Sequence, residues 1–195
     1  MVTESELKKV KAFVKESVSN IKDPQHGWRH LQRVARNAER IVKTLSTEDK
    51  LDINLLLAAC YLHDVNRVYY SPTLIDYLLE TRHSKSILPQ VLDELGIRSS
   101  EREVIENAIY SSSFSFPFRR LNKNKDLYTQ ILQDADTLDF FSKEREKSFD
   151  KVKKDFGFYN ILGLVSTGAL KYGRKNLSKY LNFPQLAKEY YVPKG

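Results

Sequence analysis

The chain has a single cysteine, Cys60, which rules out an internal disulfide. Because it lies within an apolar run, a buried thiol in a reducing compartment is expected. No apolar run approaches the roughly 20 residues that span a bilayer, so no membrane segment is expected. The opening Met-Val-Thr-Glu-Ser-Glu has neither a basic nor an apolar leader region. A signal peptide is therefore not expected, and a cytoplasmic location is. Strand-type alternation, internal repeats, long linkers and low-complexity segments are also missing. The densest basic stretch, Arg119-Arg120-Leu121-Asn122-Lys123-Asn124-Lys125, lacks the interleaved aromatic rings of a single-strand nucleic-acid binder. The net charge is +7, but the lysines are spread along the whole chain. Charge therefore points no more to nucleic acid than to a small anionic ligand or a solvated surface.

What is present is helical periodicity. With 195 residues, 41% hydrophobic and 29% charged, the chain has the size and composition of one globular domain. A first helix is expected from Thr3, with Glu6 completing a capping box and Leu7, Val10, Phe13, Val14 and Val18 forming its apolar stripe. Asp23-Pro24-Gln25-His26-Gly27 breaks it. A second helix turns Leu31, Val34, Ala35, Ala38, Ile41, Val42 and Leu45 inward, and a third apolar run begins at Ile53. Further helices are expected around Ile87 to Leu95, closed by Gly96, from Ser100 with Glu103, and through Ile131, Leu132, Ala135 and Leu138. Ser111 to Pro117 reads as a loop, and the remainder as helix with breaks at Gly157, Gly163 and Gly173. The fold class is all-α: a single domain over 1–195, with a motif-bearing core at about 25–140 and a helical extension over 141–195.

The third apolar run ends on His63-Asp64. An unpaired imidazole and carboxylate in apolar surroundings would cost several kcal/mol, on the order of a whole stability margin. His30 stands upstream, and Asp134 and Asp136 stand downstream. Two imidazoles and two carboxylates make a ligand set for one divalent metal. His63 and Asp64 are consecutive, so their side chains diverge by about 100° on a regular helix and share an ion only near a helix end. Asp134 and Asp136 point to nearly opposite sides, so at most one is a direct ligand. His26 lies four residues before His30, on the same face if the helix has begun. It touches substrate, orients a neighbour or closes the loop.

The order His30, His63-Asp64 and Ala135-Asp136-Thr137-Leu138 resembles the HD superfamily of metal-dependent phosphohydrolases. Within it, His26-Gly27-Trp28-Arg29-His30-Leu31-Gln32-Arg33-Val34, Tyr61-Leu62-His63-Asp64, Ser113-Phe114-Ser115 and Gln133-Asp134-Ala135-Asp136-Thr137-Leu138 resemble the motifs of small single-domain bacterial members. The resemblance implies a compact helical bundle with a central metal held by His30, His63, Asp64 and Asp136. The ion would be Mn²⁺, Co²⁺, Ni²⁺ or Fe²⁺, with Mg²⁺ less favoured by imidazole. It further implies hydrolysis of a nucleotide or other small phosphorylated metabolite by metal-activated water. Asp64, His63, His26 and Arg67 are the catalytic candidates. Arg33, Arg67, His83 and Lys85 are the substrate-binding candidates, set against a solvated-surface reading for Arg33, His83 and Lys85 and for their neighbour Arg82. Two positions depart from the pattern: Ser112 stands where the subgroup commonly has histidine, and Arg67 where some nucleotidase relatives have an acid. They motivate a rival reading, a degenerate regulatory protein that binds metal and nucleotide without hydrolysis. A homodimer is compatible with all of this.

Overall fold

The computed structural model describes residues 1–21, 24–70, 73, 79–112, 126–152 and 170–190, which hold helices and turns and no strand. The helices are α1 (Glu4–Ser17), α2 (Trp28–Leu45), α3 (Ile53–Leu62), α4 (Glu80–Glu94), α5 (Ser99–Ser112), α6 (Leu127–Phe140), α7 (Lys143–Val152) and α8 (Leu186–Tyr190). The expected all-α bundle is what the chain forms. No helix among the described residues is long and apolar enough to cross a membrane.

Local chemistry sets the helix starts. Thr3 Oγ1 accepts from the Glu6 amide at 3.2 Å while Glu6 Oε2 accepts from the Thr3 amide at 2.7 Å, completing the capping box. Asp52 opens α3 by accepting from the amides of Asn54 and Leu55, at 2.9 and 3.1 Å. Asp126 does the same for α6 through the Thr129 amide at 3.0 Å. At the far end of α4, Gly96 takes a positive φ of 67°, the left-handed conformation that favours glycine.

The bundle is built around α3, whose residues Leu55 to Leu62 are all buried. A helix apolar on every side needs neighbours on every side; α1, α2, α5 and α6 supply them. The α2 stripe packs on α6, bringing His30 opposite the acidic face of that helix. The last described segment docks through Asp134, which is fully buried. Asp134 accepts from the Asn182 amide at 2.7 Å, the Asn182 side chain at 2.8 Å and the Phe183 amide at 2.9 Å.

Two local expectations are corrected. α4 begins at Glu80 rather than near Ile87, with Pro89 inside it. Gly173 is no break: it lies within a helical stretch at 170–175. There the Phe141 ring occupies the space that a Cβ would need. Gly157 and Gly163, Ser113-Phe114-Ser115 and the basic stretch at 119–125 lie outside the described residues.

Candidate metal centre

α3 ends at Leu62, and His63 (φ −59°, ψ −30°) is its last helical step. Asp64 then leaves the helix at φ −108°, ψ 14° and starts a tight turn over Val65–Val68. That change of direction lets two consecutive side chains, which would diverge on a continuing helix, face one point. His63 Nε2 lies 3.3 Å from Asp64 Oδ2. From α2, His30 Nε2 comes within 3.1 Å of the same oxygen and 3.3 Å of His63 Nε2. From α6, Asp136 Oδ1 lies 3.6 Å from His30 Nε2. One ligand atom each from His30, His63 and Asp136 falls within 4.8 Å of the others.

The outer nitrogens of the two rings decide what the inner ones present. His30 Nδ1 donates to Asp139 Oδ2 at 2.7 Å, and His63 Nδ1 donates to the Cys60 carbonyl at 2.8 Å. With the protons held outside, each ring in its neutral form turns an Nε2 lone pair inward. Two lone pairs and an anionic oxygen facing each other at hydrogen-bond distances repel unless a cation lies between them. Asp64 Oδ2 is buried and no donor reaches it in hydrogen-bonding geometry. Ligands held about 2.1 Å from a single ion sit about 3.0–3.4 Å apart, depending on coordination angle. The spacings among His30, His63 and Asp64 fit, as does the imidazole-carboxylate chemistry of the set.

A family model for the HD domain matches residues 27–140. The chain belongs to the HD-domain family. Among solved structures, a Lactobacillus plantarum protein superposes with a TM-score of 0.60 and 27% identity, over 80% of this chain. The chain spans 66% of that protein's length. A predicted HD superfamily hydrolase from an uncultured Thermotogales bacterium superposes with a TM-score of 0.53 at 21% identity, over 89% of this chain and 92% of that one. At that identity the likeness bears on the fold. No curated protein matches.

In this HD domain the electrostatics follow the geometry. Burial pushes the Asp64 carboxyl up, but the imidazoles of His63, His26 and His30 around it hold it well below the usual range. Burial also opposes a charge on His63, yet the Asp64 carboxylate outweighs it and raises the metal-free imidazole to about 9. A proton is the smallest cation that relieves the cluster. Asp139, likewise buried, is held low by its hydrogen bond from His30 and by Arg33 and Arg145. The Cys60 thiol is raised far above its usual range by burial, which makes it a core group and a poor nucleophile.

The remaining candidates divide by position. His26 sits beside the cluster, its Nε2 4.0 Å from Asp64 Oδ2 and its ring edge-on to His30. Arg33 reaches it indirectly: Nε bonds Asp139 Oδ1 and Nη2 lies 3.2 Å from Asp139 Oδ2. Arg67 is buried and its Nη2 is 3.0 Å from Glu80 Oε2. His83 stacks on Tyr70, ring centroids 3.6 Å apart. Lys85 is exposed, with Nζ over the Tyr110 ring. Ser112 turns its hydroxyl back to the Ile109 carbonyl at 3.0 Å. Sequence reasoning missed Asp139 and Arg145. Asp139 stands three residues after Asp136, hence on the same face of α6, and that spacing was a readable signal. Arg145 had none.

Proposed function

We propose that this protein is a metal-dependent phosphohydrolase that acts on a nucleotide or other small phosphorylated metabolite, and that residues 1–195 form one HD-type unit. The observation that carries this is the convergence of two Nε2 atoms on one buried Asp64 oxygen. His30, His63, Asp64 and Asp136 would hold a divalent transition metal. Bound there, the ion would supply a Lewis acid for a phosphoryl oxygen and an acidified water.

The chain's own residues do the rest. Asp139 and the Cys60 carbonyl fix the tautomers of His30 and His63. Asp136, with a quarter of its side chain exposed, marks the side from which a substrate enters. Arg33 keeps a 19% exposed side chain while its Nε and Nη2 hold Asp139 beside the cluster, so a phosphate there would meet the remaining edge of its guanidinium. Arg67 is committed to Glu80, and His83 and Lys85 stack on aromatic rings, so they serve this reading less well. The test is metal content of the purified chain together with phosphate release from a nucleotide panel in Mn²⁺. Asp64→Ala should abolish metal retention and release alike, and full activity in that variant would overturn the assignment.

A second reading, a regulatory protein that binds nucleotide without cleaving it, draws on Ser112 and Arg67. The hydroxyl of one is spent on its own helix, and the guanidinium of the other on Glu80. Neither offers an acid or base. Tight nucleotide binding with no phosphate release in the same panel would select it.

A further inference from the structure

The HD match ends at residue 140, yet the next helix, α7, sends a side chain back to the centre. α7 packs against α6 and the turn at Pro24–His26. The Ser142 hydroxyl accepts from the Arg145 amide at 3.0 Å in its first turn. Arg145 is buried. Its Nη1 donates to the Gln25 carbonyl and lies 3.7 Å from Asp139 Oδ2, while Nη2 lies 3.1 Å from His26 Nε2.

A guanidinium has five N–H donors, no acceptor, and keeps its proton. His26 Nε2 therefore accepts from Arg145, which places the ring proton on Nδ1. Asp64 Oδ2 lies 4.0 Å from that same Nε2, so the ring that Arg145 orients stands against a carboxylate ligand. Arg145 also faces the Asp139 oxygen that accepts from His30 Nδ1. It thus touches both the group that orients one imidazole ligand and the ring that stands against a carboxylate ligand.

We propose that Arg145, contributed from beyond the family match, is a positioning residue of the metal centre that orients the His26 ring with Nε2 as acceptor and steadies Asp139 against His30. This rests on the reading of the cluster as a metal centre.

The test uses the full chain with ¹⁵N-labelled histidine, and Mn²⁺ titration calorimetry. Long-range ¹H–¹⁵N correlations of the metal-free wild type should show His26 with a protonated Nδ1 and an unprotonated Nε2. Arg145→Met should lose that signature and bind Mn²⁺ about tenfold more weakly, the scale of effect known for groups that orient metal ligands. Arg145→Lys keeps the charge but not the planar fork, and should fall between. A protonated Nε2 on wild-type His26, or wild-type Mn²⁺ affinity in both variants, overturns the proposal. Should Arg145→Met fail to fold, the wild-type spectrum and Arg145→Lys decide the matter. Absence of Mn²⁺ binding by the wild type overturns the metal reading itself, while the spectrum still judges the hold of Arg145 on His26.

Discussion

Asp134 and Asp136 are two positions apart on α6 and stand in opposite surroundings. Asp134 is fully buried and accepts two backbone amides and a side-chain amide from Asn182 and Phe183. Asp136 keeps a quarter of its side chain exposed and faces His30. Removing Asp134 strands those donors, so Asp134→Ala should cost about 2–3 kcal/mol in urea unfolding, the scale of hydrogen bonds to a charged acceptor. Its folded form should keep its metal affinity. Asp136→Ala should do the reverse, leaving unfolding nearly unchanged and weakening Mn²⁺ binding in calorimetry. The opposition was legible because period-2 spacing on a helix separates side chains. Which carboxylate faces His30 depends on how α2 lies across α6, and only the family resemblance pointed to Asp136. Asp139 carried a local signal in its spacing from Asp136, but its partner His30, 109 residues away, did not show in it. Arg145 was more deeply hidden, since nothing local marks a lysine- and glutamate-rich helix as the donor of a buried guanidinium.

Helices with a clear apolar stripe could be read directly. In α2, Leu31, Val34, Ala35, Ala38, Ile41 and Val42 are all buried as the 3.6 period requires. α4 was read too short because Glu80 to Ser86 carries few apolar residues and Pro89 looks like a barrier. Tertiary packing on the Val65–Val68 turn and α5 extends it all the same. Gly173 was misread because a glycine that admits a ring resembles one that ends a helix. α3 illustrates the cost of a helix with no polar face. Leu56 is fully buried at its centre, so Leu56→Ala should destabilise the chain by about 3 kcal/mol through lost burial and a residual cavity. Urea unfolding would measure it. An effect under about 1 kcal/mol would contradict the placement of α3 at the core.

For the molecule as a whole, folding and metal binding are coupled, because the four proposed ligands come from α2, the end of α3 and α6. An ion that binds only the folded chain at 100 times its Kd adds about 2.7 kcal/mol. At about 2–4 °C per kcal/mol for a chain of this size, Tm should rise by about 5–10 °C with Mn²⁺ and fall back with chelator. The pH dependence gives a sharper test. His63 in the metal-free fold is raised from 6.5 to about 9, chiefly by Asp64 working against burial. A raised imidazole contributes stability that is fully present below pH 6.5 and lost as pH climbs through 9. Asp64 and Asp139 are lowered and remain ionised throughout this window, so they add no slope there. The metal-free Tm should therefore decline between pH 6.5 and 9. A metal must displace the His63 proton, so its apparent affinity should rise across the same window by about tenfold per pH unit. The Mn²⁺-induced gain in Tm should grow where the metal-free Tm falls. Thermal scans with and without Mn²⁺ at several pH values would show the two opposed slopes, and parallel curves would remove His63 from the ligand set.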